Sequence, residues 1–176
     1  MMEEKLIQLL FPKFYSRYLA YKEQHKTINN NFVRNYEEVF NEIKRDNVVV
    51  LGIEKNGLEY VIVTRQYIDN VLYIKLYSPT YIYRHPKIMT KVFDSESEKF
   101  TKIIDIDMID NDIGNGSICM EYFLEEARNT FVKYIIGDLS FADIDHFDRL
   151  EHFYSKHGFL VEFRPNKSSG DITLKL

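Results

Sequence analysis

The sequence of 176 residues has no tryptophan, one cysteine, four prolines and seven glycines. A single cysteine, Cys119, cannot form an internal disulfide, which excludes a disulfide-stabilised secreted fold and suits a reducing compartment. The low proline and glycine content excludes collagen-like and low-complexity chains. No uncharged apolar run reaches the ~20 residues that a bilayer span needs, and the first residues lack the apolar segment of an export signal. We therefore expect a cytoplasmic protein without a membrane partner.

What the chain does contain is enough apolar material for one sizeable core. Apolar residues make up 45% of the chain and include 13 tyrosines and 13 phenylalanines. We find no internal repeat or linker, so we expect a single domain over residues 1–176.

The net charge of −4 is unevenly distributed, because residues 94–151 carry 15 acidic and 5 basic side chains. Such a stretch repels phosphates, so we do not expect a nucleic-acid partner. It either attracts a cationic substrate or forms a solvated acidic surface. The sequence does not determine the oligomeric state.

The first part of the chain, residues 1–46, is expected to be helical. Apolar side chains at three-to-four spacing predict one helix over residues 3–23, and a second helix whose apolar stripe runs from Phe32 to Ile43.

Residues 47–100 are expected to form antiparallel strands and a loop. Three short runs rich in β-branched residues predict strands, with turns at Asn56-Gly57 and Asp69-Asn70. The last part of this segment, residues 80–100, is poorly patterned and is expected to be the loop.

A strand, a glycine turn, a helix and a second strand are expected next. Isoleucine and aspartate alternate over residues 104–107, which indicates a half-exposed strand. Gly114 and Gly116 then mark a turn, Ser117 is expected to cap the helix, and residues 134–139 predict the next strand. Such a βαβ unit makes its two strands parallel.

Two segments of this half carry candidate chemistry. Glycines that open a helix present free backbone N–H groups and the positive end of the helix dipole, which together bind anions. A tight turn that needs small residues is an equal interpretation of Gly114 and Gly116. The second segment runs from Arg149 to Phe159, where Tyr154 is either a core aromatic or a functional hydroxyl.

Taken together, the two segments resemble the GNAT superfamily of N-acetyltransferases over residues 101–165. The family's acyl-CoA loop and its late Phe-Tyr-x-Lys-x-Gly-Phe segment are matched by Gly114, Gly116, Phe153, Tyr154, Lys156, Gly158 and Phe159. The resemblance implies an α/β fold with a mixed, mostly antiparallel sheet, one parallel strand pair, and helices on both faces. Residues 101–176 would form its acyl-CoA-binding half.

The resemblance also implies a reaction, the transfer of an acetyl group from acetyl-CoA, as cosubstrate, to an amine acceptor. It implies Asp105 as the base, directly or through water, and Tyr154 as the proton donor to the departing thiolate. The implied cofactor-binding residues are Ile104, Ile106, Asn111, Ile113, Gly114, Asn115, Gly116 and Ser117.

Departures from the family pattern favour an alternative, a non-catalytic acyl-CoA-binding or protein-interaction module on the same fold. Asn111 stands where the family has Gln or Arg, Asp112 adds a negative charge, and the family's asparagine in the last helix has no match. No metal is expected, because the five histidines and Cys119 lack ligand spacing. The acceptor stays open among small amines, polyamines, peptide N-termini and lysine side chains.

Overall fold

The computed structural model describes residues 34–57, 59–81, 84–94, 98–109 and 114–176. The helix predicted over residues 3–23 lies outside them, so that helix and the single domain over the whole chain stay predictions. Among the described residues, no helix combines the length and the apolar character that crossing a membrane would require.

The described part of the chain contains eight strands, three α-helices and one 3-10 helix. In chain order they are α1 (Tyr36–Asp46), β1 (Val49–Asn56), β2 (Glu59–Ile68), β3 (Val71–Tyr77), β4 (Lys87–Asp94), β5 (Lys99–Asp107), α2 (Asn115–Asn129), β6 (Tyr134–Leu139), the 3-10 helix (Phe141–His146), α3 (Phe147–Lys156), β7 (Leu160–Phe163) and β8 (Gly170–Lys175).

The eight strands form one sheet in the order β1-β2-β3-β4-β5-β6-β8-β7. Every neighbouring pair is antiparallel except β5 and β6, which are parallel and are joined through α2. This confirms the predicted mixed, mostly antiparallel sheet with one parallel pair. The predicted turns also occur: Gly57 has φ 61°, and Asp69 and Asn70 have φ 50° and 64°, the left-handed values that tight hairpins use.

Helices cover both faces of the sheet, as predicted. Val63 of β2 lies in the same buried cluster as Phe123 of α2. The residue before it in β2, Ile62, stands opposite Tyr77 of β3, and the Tyr77 hydroxyl donates a hydrogen bond of 2.8 Å to Asp46 of α1. Because successive side chains of a strand point to opposite faces, α1 and α2 lie on opposite sides. Tyr154 of α3 belongs to the same cluster as Phe123, so α3 shares the face of α2.

Two local predictions were wrong. The segment expected as a loop contains β4, so four strands rather than three precede the parallel pair. Ile88 and Thr90 of β4 are fully buried between β3 and β5, and this tertiary burial outweighs a weak local pattern. The N-cap of α2 is Gly114 rather than Ser117, which lies inside the first turn of the helix.

Candidate functional site

The parallel strands β5 and β6 separate after only four residue pairs. Their ladder runs from Phe100 opposite Tyr134 to Ile103 opposite Gly137. Beyond it, residues 105–107 continue to pair with β4, and β6 continues to pair with β8. One edge of β5 therefore carries backbone N–H and C=O groups that no described strand pairs.

A bulge in β5 explains where the strands part. Met89 of β4 stands opposite Asp105, and the next residue, Thr90, stands opposite Ile103, which leaves Ile104 as the extra residue. A bulge bends its strand and increases the local twist. Gly137 marks the last pair, where an added Cβ would lie 2.9 Å from the end of the Ile172 side chain, so a larger residue would require Ile172 to shift.

A cleft of about 530 Å³ opens where β5 ends and α2 begins. It is lined by residues 106–108 of the β5 end, residues 114–117 of the α2 start, and one face of α3. The α3 residues are Arg149, Leu150, His152, Phe153 and Lys156. Three separate elements thus converge on one concave surface.

The first turn of α2 faces this cleft without a side-chain cap. Gly114 is the N-cap with φ 95°, and the turn contains no acidic residue. The leading N–H groups of a helix have no intrahelical partner, so this turn presents free donors and a positive dipole end. Such a turn can hold an anion, which is one of the two interpretations of the glycine pattern.

The side chain of Asn115 holds this turn in place. The side-chain amide of Asn56, at the end of β1, donates a hydrogen bond of 2.6 Å to the side-chain oxygen Oδ1 of Asn115. The Asn115 amide donates one of 2.7 Å to the hydroxyl of Tyr81. Asn115 is only 1% exposed, so its backbone rather than its side chain lines the cleft.

Cationic side chains of α3 add positive charge to the cleft. Lys156 donates a hydrogen bond of 2.7 Å to Ser117 and lies over the ring of Phe153, which fixes its ammonium beside the α2 start. Arg149 and His152 are exposed on the same helix face.

The acidic residue of the lining, Asp107, is neutralised by neighbouring cations. Arg84 hydrogen-bonds to its carboxylate, and Lys87 lies 3.1 Å from it. Partial burial opposes ionisation of Asp107, but these hydrogen bonds outweigh it and hold the pKa of the carboxyl below its usual value.

Gly116 brings α2 and α3 close together. A Cβ at this position would lie 3.0 Å from the ring of Phe153, tighter than ordinary contact. The absence of a side chain at Gly116 therefore serves the packing of the two helices that form the cleft.

Tyr154 lies on the inner side of α3 and does not line this cleft. Its residue is 5% exposed, and its ring packs edge-on against Phe153 and Phe159. Its hydroxyl has no hydrogen-bond partner among the described residues. Burial, followed by the negative charges of Asp143 and Asp105, raises the pKa of the phenol well above its ordinary value.

Asp105 and Ile104 lie at the parting of β5 and β6 rather than in the cleft. Both are exposed, and Ile104 retains 50% of its accessible surface. The charge of Asp105 acts on the Tyr154 phenol, so the two predicted catalytic groups share one electrostatic environment.

The remaining predicted contacts fall into two groups. Ile106, Gly114, Asn115, Gly116 and Ser117 all line the cleft. Asn111 and Ile113 lie outside the described residues, so their roles stay predictions.

Sequence reasoning missed the α3 face as part of the cleft. Arg149, His152, Phe153 and Lys156 follow the i, i+3, i+4, i+7 spacing of a single helix face, and this spacing was the signal available. Among the described residues, no group of three or more His, Cys, Asp or Glu side chains is arranged to hold a metal ion.

The mixed sheet with its one parallel strand pair, and the helices on both of its faces, form the architecture that the sequence resemblance implied. The fold is GNAT-like.

Comparisons with known proteins give partial matches. No protein-family model matches the chain. The uncharacterized protein YocC of Bacillus subtilis (strain 168) is 44% identical over 59 residues, which are 34% of this chain and 36% of that protein. The chain thus matches little more than a third of that relative's length.

Two solved structures overlay on the chain at low sequence identity. A candidate acetyltransferase of the GNAT family from Desulfovibrio desulfuricans covers 60% of this chain and 69% of its own, with a TM-score of 0.47 and 12% identity. N-acetylglutamate synthase from Neisseria gonorrhoeae, solved with coenzyme A and N-acetyl-glutamate, covers 79% of this chain and 31% of its own, with a TM-score of 0.39 and 11% identity.

Proposed function

We propose that the chain is an N-acetyltransferase that moves an acetyl group from acetyl-CoA to an amine acceptor. The observation that carries the proposal is the convergence, in one cleft, of the uncapped α2 start with the cation Lys156, beside an unpaired edge of β5.

The chemistry of these groups fits acetyl-CoA. Its pyrophosphate is anionic, and the free N–H groups of residues 114–117 with the Lys156 ammonium form a matching site. Its pantetheine arm carries amides, which the unpaired backbone of residues 104–107 would bind as a strand binds its neighbour. The pairing of Asp107 with Arg84 and Lys87 removes the repulsion that a free carboxylate would exert on the phosphates. We keep Asn111 and Ile113 as further proposed contacts.

Acetyl-CoA would supply an activated thioester carbonyl. The acceptor must first lose a proton, since an alkyl ammonium has a pKa near ~10, and we assign Asp105 to accept it, directly or through water. The amine nitrogen then bonds to the acetyl carbon while the carbon–sulfur bond breaks. Tyr154 donates its proton to the leaving sulfur, and its raised pKa keeps the phenol protonated and able to donate at neutral pH. The proton that the nitrogen releases as the amide forms would return to the phenolate through water.

The proposal places this reaction in the cytoplasm, with acetyl-CoA and an amine as partners. The buried thiol of Cys119, whose pKa burial raises, is an inert core group that suits a reducing compartment.

Calorimetry with acetyl-CoA tests the binding half of the proposal. Lys156→Gln should weaken acetyl-CoA binding about tenfold, because it removes a charge-assisted contact beside the pyrophosphate. Lys133→Gln is the matched control, since Lys133 is exposed outside the cleft, and its affinity should equal that of the wild type. Absence of wild-type binding would refute every acyl-CoA function.

A thiol-release assay over a panel of small amines, polyamines and peptides tests the catalytic half. The position of Tyr154 favours a second candidate, the non-catalytic acyl-CoA-binding module, because its ring is buried and does not line the cleft. Thiol release that depends on an amine supports the enzyme. Tight acetyl-CoA binding without release across the panel supports the module.

A further inference from the structure

The cleft carries more positive charge than one anionic group requires. The α2 start and Lys156 form one anion site, and Lys156 is held there by Ser117. Arg149 and His152 lie in the same lining but are not needed for that site. Their place in the cleft fits a second anionic group on the same ligand.

Arg149 is available for such a contact. Its side chain is exposed to the cleft, and no carboxylate among the described residues lies within ion-pair distance of it. Two other arginines are already used, because Arg65 of β2 is paired with Glu126, and Arg84, which precedes β4, is paired with Asp107.

The spacing along α3 separates the two cationic positions. Arg149 and Lys156 are seven residues apart, which is close to two helical turns and about 10 Å along the axis. Both therefore lie on one face, with His152 between them. A ligand that reaches both must carry two anionic groups joined by a short spacer.

We propose that Arg149, assisted by His152, binds the 3′-phosphate of coenzyme A and thereby makes the cleft selective for the 3′-phosphorylated cosubstrate. This inference rests on the proposed acetyl-CoA function and adds a determinant of specificity to it. Coenzyme A carries its pyrophosphate and its 3′-phosphate on the two sides of one ribose, which supplies the two anionic groups and the spacer. The guanidinium of arginine suits this role, because its fork of N–H donors binds phosphate bidentately.

Calorimetry with two probes, acetyl-CoA and acetyl-3′-dephospho-CoA, tests the inference. Wild-type protein should bind acetyl-CoA about tenfold more tightly, equivalent to about 1.4 kcal/mol. Arg149→Gln should lose this preference by weakening acetyl-CoA binding alone, while its affinity for the dephospho probe stays at the wild-type value. His152→Gln should reduce the preference by a smaller factor.

Arg128→Gln provides the matched control, because Arg128 is exposed in the last turn of α2, far along the helix from its start. It should keep the full preference for acetyl-CoA. The preference of the wild type should also shrink as salt rises, since exposed charge contacts are screened.

The outcomes separate this inference from the proposed function. Equal wild-type affinity for the two probes overturns the role of Arg149 and leaves acetyl-CoA binding intact. The role of Arg149 is also overturned if Arg149→Gln weakens both probes equally, because the side chain would then act on the shared part of the ligand. A wild type that binds neither probe refutes the proposed function and this inference together.

Discussion

Replacing Tyr154 by phenylalanine separates catalysis from packing, because we expect a large effect on turnover and almost none on stability. The substitution deletes one hydroxyl and keeps a ring that is only 5% exposed and packs against Phe153 and Phe159. If the phenol donates a proton to the leaving sulfur, kcat should fall by ~10²–10⁴. The KM for acetyl-CoA should change little, since Tyr154 does not line the cleft.

The stability of the same variant should hardly change. A hydrogen-bonded hydroxyl contributes about 0.5–1.5 kcal/mol, but that of Tyr154 has no partner among the described residues. We therefore expect the free energy of unfolding to stay within about 0.5 kcal/mol of the wild type, which is a shift in Tm of about 2 °C or less for a chain of this size.

Tyr122→Phe is the matched control. The Tyr122 hydroxyl donates a hydrogen bond of 2.8 Å to Glu54, and Tyr122 lies outside the cleft lining. Its removal should cost about 1 kcal/mol in urea denaturation and leave kcat unchanged. If Tyr154→Phe instead keeps full turnover and loses stability as this control does, the hydroxyl serves the core and the donor role is wrong.

Alkaline titration gives a further readout of Tyr154→Phe. The pKa of this phenol is raised in the folded protein, so the folded state holds the proton more tightly than the unfolded chain. Its contribution to stability is full below the unfolded pKa of ~10 and is lost as pH rises above it. Wild-type stability should fall more steeply above pH ~10 than that of the variant, by up to about 1.4 kcal/mol per pH unit. Parallel curves would contradict the environment described for this phenol.

Three further predictions concern the framework of the site. Arg65→Met should lower the free energy of unfolding by about 2–3 kcal/mol in urea denaturation, because the Glu126 carboxylate, which is 11% exposed, loses the cation that lies 2.5 Å from it. The double variant with Glu126→Leu should recover most of this loss. Gly116→Ala should destabilise the protein by about 1–3 kcal/mol in thermal melts and weaken acetyl-CoA binding, because the new Cβ would press on the ring of Phe153. Adding Phe153→Leu, which removes the ring, should restore both stability and binding. Asp107→Asn should remove about 0.5 kcal/mol of stability at neutral pH and flatten the fall in stability at acid pH. The lowered pKa of the Asp107 carboxyl stabilises the fold above the unfolded pKa of ~3.9, and this stabilisation is lost as pH falls. An unchanged fall in stability at acid pH would contradict the ion pairs of Asp107.

The parts of the fold that were predicted correctly have strong local signals. The left-handed turns at Gly57 and at Asp69 and Asn70 need residues that tolerate positive φ, so the sequence marks them directly. The parallel pair follows from the order strand, glycine turn, helix and strand. Gly158, with φ 87°, follows the C-cap of α3, where the left-handed conformation favours glycine.

The parts that were missed depend on contacts between distant residues. β4 follows Pro86 and has mixed polarity, and its identity as a strand comes from pairing on both sides with β3 and β5. The side chain of Asn115 could not be assigned from sequence either, because its partners are 59 and 34 residues away. The cleft face of α3 had a readable helical spacing, but only the position of α2 shows which face of that helix meets the cleft.

The hydrogen bonds of Asn115 have a consequence for how the cleft can be assembled. The helix start that faces the cleft belongs to the second half of the chain, whereas Asn56 and Tyr81, which hold it, belong to the first half, at and after the β-hairpins. A fragment that begins at β5 contains the whole GNAT-like βαβ segment but leaves the side-chain amide of Asn115 without Asn56 and Tyr81, the two partners that hold the α2 start. The cleft therefore cannot be treated as a transplantable module. It is completed by long-range contacts that reach 59 and 34 residues along the chain, so the position of the α2 start depends on the end of β1 and on the segment after β3.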